Sequence, residues 1–176
     1  MSRRLAPLTI ATGVIIIIAS CTPAEPEPAP APPATAITPT AAADLPEAVR
    51  AAVLAARPGM TIAEAELKQR EGRRYYDVEG SIDGAGIELD LLETPQGWRV
   101  VEIQRDLAWT AVPVDVRTAA GTARAGFVPV RIIESVQAAD GAVIYELFAD
   151  GQPATPALEV RLKDGRAQVL KEVWPH

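Results

Sequence analysis

The chain has 176 residues, enough for one domain or for two small ones after a targeting segment. Its 17 basic and 23 acidic side chains give a formal charge of -6 without a basic stripe, so we expect no nucleic-acid partner. One cysteine and one histidine argue against a disulfide framework, a Cys/His metal site and a histidine-based catalytic triad.

Residues 1–20 are predicted to be a lipoprotein signal peptide. Arg3 and Arg4 precede an apolar stretch that is shorter than the roughly 20 residues needed to span a bilayer. The stretch ends in Ile-Ala-Ser-Cys at positions 18–21, which resembles a bacterial lipobox. The resemblance implies cleavage before Cys21 and acylation of this residue. A membrane-anchored helix with an incidental cysteine is the alternative.

The composition after the signal peptide predicts a disordered linker. Residues 21–43 contain seven of the 16 prolines, and most other positions are alanine, threonine or glutamate. Such a segment cannot bury enough apolar surface to offset the entropy lost on ordering. Thr22 stands where related lipoproteins retained in the inner membrane usually have aspartate. The lipobox resemblance therefore implies a lipid anchor on Cys21 at the periplasmic side of the outer membrane.

The rest of the chain contains one sequence unit twice, over residues 44–110 and 111–176. A shift of 67 positions aligns residues 45–84 with the second copy without a gap. The identities that this shift produces include Pro46 with Pro113, Val49 with Val116, Arg50 with Arg117, Gly59 with Gly126, and Asp83-Gly84 with Asp150-Gly151. A period of this length suits a duplicated half-domain.

Each copy is predicted to begin with a helix and to continue with four strands. Val49 and Val53 lie on an apolar stripe at helical spacing after Pro46. The apolar period then changes to two, as in Tyr76 and Val78, and Asp-Gly pairs mark hairpin turns. The short links allow only antiparallel pairing. The predicted fold is α+β: two α-β-β-β-β repeats that form antiparallel sheet, with the helices packed on one face.

Several residues at matching places in the two copies carry a family resemblance. They are Ala52 and Ala119 in the opening helices, Gly59 and Gly126 after them, Tyr76-Asp77-Val78 with Asp83-Gly84, and Tyr145-Glu146-Leu147 with Asp150-Gly151. With these residues each copy resembles a PepSY-type unit, and residues 45–174 resemble the tandem PepSY-like, β-lactamase-inhibitor-protein-like fold. The chain departs from the family in a second hairpin shorter by two residues and in the missing glycine-lysine turn. The resemblance implies a non-catalytic envelope module, of a kind associated with inhibition or regulation of secreted peptidases.

Motifs that carry chemistry are few. His176 is the last residue, and the serines after the signal peptide are Ser81 and Ser135, so we expect no nucleophile with a histidine base. Carboxylate pairs such as Glu88 and Asp90 are of the type that a glycosidase uses. We interpret them instead as acids on the solvated face of a strand. We therefore predict no enzyme activity, no metal and no cofactor, with a carboxylate-based hydrolase as the least favoured alternative.

The pattern of the strands leaves one sheet face without helices, and we expect this face to bind a protein partner in the periplasm. The candidate contact residues are Tyr75, Asp77, Glu79, Ile144, Glu146 and Phe148. Aromatic and aliphatic anchors surrounded by acids are typical of a protein-binding surface. The leading hypothesis is a periplasm-facing module that inhibits or regulates a secreted peptidase or another envelope enzyme. A structural or assembly accessory of the cell envelope is the alternative.

Overall fold

The structure, a computed structural model, describes residues 35–152 and 154–174. The predicted signal peptide, Cys21, the first part of the predicted linker and His176 lie outside the described residues. The described chain forms one open antiparallel sheet of nine strands together with two α-helices, so the predicted α+β class is confirmed. Neither helix has the length and apolar character that a membrane span requires.

The strands lie in the sheet in chain order, and each pairs with the next in antiparallel orientation. Helix α1 (Glu47–Ala56) lies between β1 and β2, and helix α2 (Val114–Ala123) lies between β5 and β6. A short 3-10 helix precedes each of them, at Ala42–Asp44 and Trp109–Ala111. The strands β1 to β9 are Ala36–Ala41, Thr61–Arg70, Arg73–Ile82, Ala85–Thr94, Gly97–Asp106, Arg131–Gln137, Val143–Phe148, Leu158–Lys163 and Arg166–Val169.

Both helices pack on the same face of the sheet. Residues that pair across an antiparallel ladder point to the same side, so the register can be followed from strand to strand. One continuous row of pairs runs through Val78, Leu89, Ile103, Val136 and Val143, from β3 to β7. Helix α1 covers the β3 end of this face and helix α2 covers the β7 end. We call this side the covered face and the opposite side the open face.

The core consists of two apolar clusters, one under each helix. The first contains Leu45, Val49, Val53, Met60, Ala65, Tyr76, Val78, Leu89 and Leu91, and the second contains Val112, Val116, Ala120, Ile132, Tyr145, Leu147 and Val160. Burying a large aliphatic side chain contributes about 1.5–3 kcal/mol, so these clusters supply most of the driving force for folding. The helical stripes that the sequence predicted are therefore the buried sides of the two helices.

The linker prediction is wrong for its last residues, because β1 lies within them. Strand β1 pairs with β2 from Ala36 opposite Gln69 to Ala41 opposite Glu64. Its side chains are almost all exposed, so the composition gives no hydrophobic signal, and backbone hydrogen bonds to β2 hold the strand in place. Pro39 is tolerated because an edge strand leaves half of its backbone groups outside the ladder.

We predict that Gly80→Ala destabilises the protein by about 1–3 kcal/mol, the usual cost of overpacking. Gly80 lies opposite Ile62, beside the bulge of β2. A Cβ atom there would collide with the Thr61 carbonyl oxygen and would lie 2.7 Å from Met60 Cε. The control is Gly86→Ala on the neighbouring strand, where a Cβ meets nothing within 4 Å. Urea unfolding of both variants measures the effect, and equal midpoints would contradict the prediction.

Candidate functional site

The register places three acids side by side on the open face. Asp77 of β3 lies opposite Asp90 of β4, and Asp90 lies opposite Glu102 of β5. Directly opposite side chains have Cβ atoms about 4.5–5.5 Å apart, and like charges at this distance are destabilising. We call Asp77, Asp90 and Glu102 the acid row. Such a row requires compensation from neighbouring groups.

The acid row is buried although no helix covers it. The exposed fractions of Asp77, Asp90 and Glu102 are 7%, 8% and 4%. Removing a charge from water costs several kcal/mol unless the charge is paired. Asp77 contacts the ammonium group of Lys68, and Glu102 accepts a hydrogen bond from the Ser135 hydroxyl. Asp90 Oδ1, in contrast, is buried without a hydrogen-bond partner in the described part of the chain.

Glu88 joins two members of the acid row in a tighter group. It precedes Asp90 by two positions on β4, so both side chains lie on the open face. One carboxylate oxygen from each of Asp77, Glu88 and Asp90 lies within 4.8 Å of the others. We call these three residues the carboxylate triad.

Burial and mutual repulsion raise the pKa values of the triad. Burial raises the pKa of Asp90 to about 8, and the charge of Asp77 adds to the effect. The same two causes raise the pKa of Glu88 to about 7. Burial alone would lower the pKa of Lys68, but the contact with Asp77 and the nearby acids outweigh burial and raise it. The group therefore strongly favours the uptake of positive charge, whether as protons or as cations.

A depression of about 480 Å³ opens beside the triad, between β1 and β4. Its carboxylate lining comes from Glu64, Glu66, Asp77, Glu79 and Glu88, and Lys68 is the cationic side chain that lines it. We call this depression the acidic hollow. A water molecule occupies roughly 30 Å³, so the hollow has room for a whole side chain.

All six predicted contact residues point to the open face, as the period-two pattern indicated, but the structure divides them into two groups. Asp77 and Glu79 line the acidic hollow, and Tyr75 lies beside the acid row. Glu79 is exposed, Tyr75 is half-buried and Asp77 is buried. The residues from β3 therefore belong to the site.

The prediction that Ile144, Glu146 and Phe148 of β7 are accessible contact residues is wrong. The exposed fractions of Ile144, Glu146 and Phe148 are 0%, 7% and 5%. The guanidinium of Arg131, on the neighbouring strand, lies 5.6 Å from the centre of the Phe148 ring. A partner cannot reach these side chains without displacing what covers them.

The C-terminal segment reaches the open face close to these residues. Strand β9 ends at Val169, five residues before Trp174. The following chain turns onto the open face, where the Trp174 backbone N–H donates a hydrogen bond to Glu159 Oε2 at 2.7 Å. Glu159 lies opposite Glu146, so the segment passes next to the β7 residues.

Six residues of the site were not among the predicted contact residues: Glu64, Glu66, Lys68, Glu88, Asp90 and Glu102. The interpretation of Asp90 as a solvated acid is wrong, because the side chains around it exclude water. A usable signal was present for the two acids of β4, Glu88 and Asp90, which the register sets opposite Glu79 and Asp77. Counting outwards from the Asp83-Gly84 turn places Asp77 opposite Asp90, whereas nothing local indicates how deeply the pair is buried.

Comparisons of the chain with protein-family models, with curated proteins and with solved structures gave no match. The function proposed below therefore depends on the residues of the site and on their geometry.

We predict that the metal-free protein loses stability as the pH rises from about 5 to about 8.5. Unfolded carboxyl groups release their protons near pH 4. In the folded protein, the pKa is about 8 for Asp90 and about 7 for Glu88. The folded state therefore binds more protons in this range, and the free energy of unfolding falls with pH, by several kcal/mol. Urea unfolding in the presence of a chelator measures the profile.

Asp90→Asn should flatten this profile, because the amide does not ionise. Glu93→Gln is the matched control: it removes an exposed acid of the same strand, one that pairs with Arg74 at 3.0 Å. The control should keep the wild-type slope. A wild-type stability that rises between pH 5 and 8.5 would contradict the prediction.

Proposed function

We propose that this chain is a non-catalytic, PepSY-like binding module of the cell envelope that holds a basic segment of a protein partner in its acidic hollow. The observation that carries the proposal is the concentration of carboxylates around an accessible depression on the open face. The order of one helix and four strands, present twice in one sheet, supports the PepSY-like assignment and the inferred duplication.

The outer acids of the hollow favour a cationic ligand. Glu64 and Glu79 are exposed and lie directly opposite each other on β2 and β3. Their repulsion is relieved when a lysine or arginine side chain enters between them, and a guanidinium can bind carboxylates through two parallel hydrogen bonds. Acids around a binding site also steer a basic partner and accelerate its association.

The proposed consequence for the partner is restraint without chemistry. A sheet of nine paired strands offers a rigid surface, so little entropy is lost on binding. A peptidase or another envelope enzyme held in this way would be inhibited or regulated, in line with the PepSY resemblance. A structural accessory of the envelope would instead need no single partner.

The lipobox adds the location: we propose that the module faces the periplasm from the outer membrane through a lipid on Cys21. Two or more acyl chains, at about 0.8 kcal/mol per buried methylene, give stable anchoring. Cys21→Ser should therefore accumulate as an uncleaved precursor without acyl mass. The conservative control Thr22→Ser leaves the thiol in place and should be processed normally. Mass spectrometry of fractionated envelopes checks both, and an acylated Cys21→Ser protein would refute the anchor.

Replacing Glu64 and Glu79 together by lysine should reduce partner capture tenfold or more, which corresponds to about 1.4 kcal/mol. The two positions form a like-charge pair before and after the change, so stability should vary little. The control replaces Glu47 and Asp115, in the exposed first turns of α1 and α2, by lysine. It changes the net charge equally but away from the hollow. A pull-down from solubilised envelopes compares the variants.

The proposal requires one stoichiometric partner. The wild-type chain and the control variant should both capture this partner, and the variant with lysine at positions 64 and 79 should lose it. Equal capture by all three proteins would remove the hollow as the binding site. Diffuse retention on the cell wall, without a stoichiometric partner, would favour the structural accessory.

A further inference from the structure

The carboxylate triad concentrates negative charge in a small volume. Lys68 contacts Asp77, and Glu102 lies opposite Asp90 in the acid row. Fully ionised, Asp77, Glu88 and Asp90 carry three negative charges within a few ångströms of one another. Their repulsion is much stronger in this largely buried setting than it would be at the surface.

Asp90 gives an independent indication of a missing partner. Its side chain is only 8% exposed, and its Oδ1 has no hydrogen-bond partner among residues 35–152 and 154–174. One carboxylate oxygen of Asp77 and one of Glu88 lie within 4.8 Å of an oxygen of the Asp90 carboxylate. A buried acceptor without a donor costs about 1–3 kcal/mol, and more when it is charged. The Asp90 carboxylate thus lies in a group of oxygens that a cation bound between them would bring together, and its own Oδ1 has no other partner in the described residues.

We propose that Asp77, Glu88 and Asp90 form a binding site for a divalent hard cation, with Ca²⁺ as the preferred ion. This proposal revises the prediction from sequence that the chain has no metal site. It assigns the triad a role that the acidic hollow does not require.

The geometry and the ligand chemistry favour Ca²⁺. Calcium–oxygen distances are about 2.3–2.6 Å, so oxygens on opposite sides of one Ca²⁺ are roughly 5 Å apart, and the triad satisfies this limit. Mg²⁺ needs distances of about 2.0–2.1 Å and nearly ideal octahedral geometry, which side chains fixed on two paired strands do not easily provide. A set of carboxylates without cysteine or histidine is also unfavourable for Zn²⁺ and Cu²⁺.

The site extends the proposed function by dividing the acids into an inner and an outer set. The inner set, the triad, binds the ion. The outer set, Glu64, Glu66 and Glu79, keeps its negative charge and attracts the basic segment of the partner. A bound cation would fix the side chain of Glu88, which lines both the triad and the hollow. Ion binding is measured without a partner, so the failure of either proposal leaves the other standing.

Calorimetric titration tests the proposal on the full-length chain, purified in detergent, freed of metal with a chelator and dialysed. CaCl₂ is titrated at about pH 8 and constant ionic strength. We expect one saturable site with a Kd between about 10 µM and 1 mM, and weaker binding of MgCl₂. No saturable Ca²⁺ binding up to about 10 mM would overturn the proposal.

Variants locate the ion. Asp90→Asn and Glu88→Gln should each weaken Ca²⁺ binding at least tenfold, because each replaces a charged ligand by a neutral one. Glu93→Gln, which removes an acid from the same strand outside the triad, should bind like the wild type. Far-UV circular dichroism checks that each variant is folded. If Asp90→Asn does not fold, Glu88→Gln provides the test, because Glu88 is only half-buried and its replacement should be better tolerated. Wild-type affinity in a folded ligand variant would overturn the site.

Discussion

Cross-strand pairing between β3, β4 and β5 forces carboxylates against one another, and the chemistry of the open face follows from this contact. The Asp83-Gly84 turn has two residues, both with positive φ, which is the geometry of the tight hairpin turn that matches strand twist. A turn of this kind fixes the register, so Asp77 and Asp90 cannot avoid each other. Any rearrangement that separated them would move the residues of the covered face out of the core, because a slip of one position exchanges the two faces.

The two apolar clusters offset the destabilisation that the contact between these carboxylates causes. Each helix presents small residues, mainly valine and alanine, so it lies close to the sheet and buries the centre of the apolar cluster beneath it. The open face has no such layer. Its own side chains pack against one another, and the C-terminal segment hydrogen-bonds to Glu159 near the β7 end. The β7 end therefore resembles a second core, while the end formed by β1 to β4 keeps a depression that a ligand can reach.

Acidic residues that lower the stability of the free protein are good candidates for functional residues, because natural sequences retain destabilising residues mainly at functional sites. The outer acids and the triad differ in how much water reaches them. Exposed carboxylates interact weakly with any single charge but act at a distance, which suits the recognition of a basic segment. Buried carboxylates interact strongly over a short range, which suits a small cation.

The sequence by itself determined the local elements and their faces. The valine and alanine stripes, the Asp-Gly turns and the period-two strands placed Tyr76 and Val78 in the core and Tyr75, Asp77 and Glu79 on the open face. Only the tertiary structure decided which residues share a site. A bulge after Asp90 shifts the register by one position and sets Glu102, not Val101, opposite Asp90.

Tertiary contacts also decided how deeply the residues of the open face are buried. They decided too that β1 pairs with β2, although composition assigned this segment to disorder. Periodicity reports the side of a strand on which a residue lies, since it follows from the backbone geometry of that strand alone. What covers that side comes from segments distant in the chain. The C-terminal segment, for example, hydrogen-bonds to Glu159, which lies opposite Glu146, and no pattern within β7 contains that information.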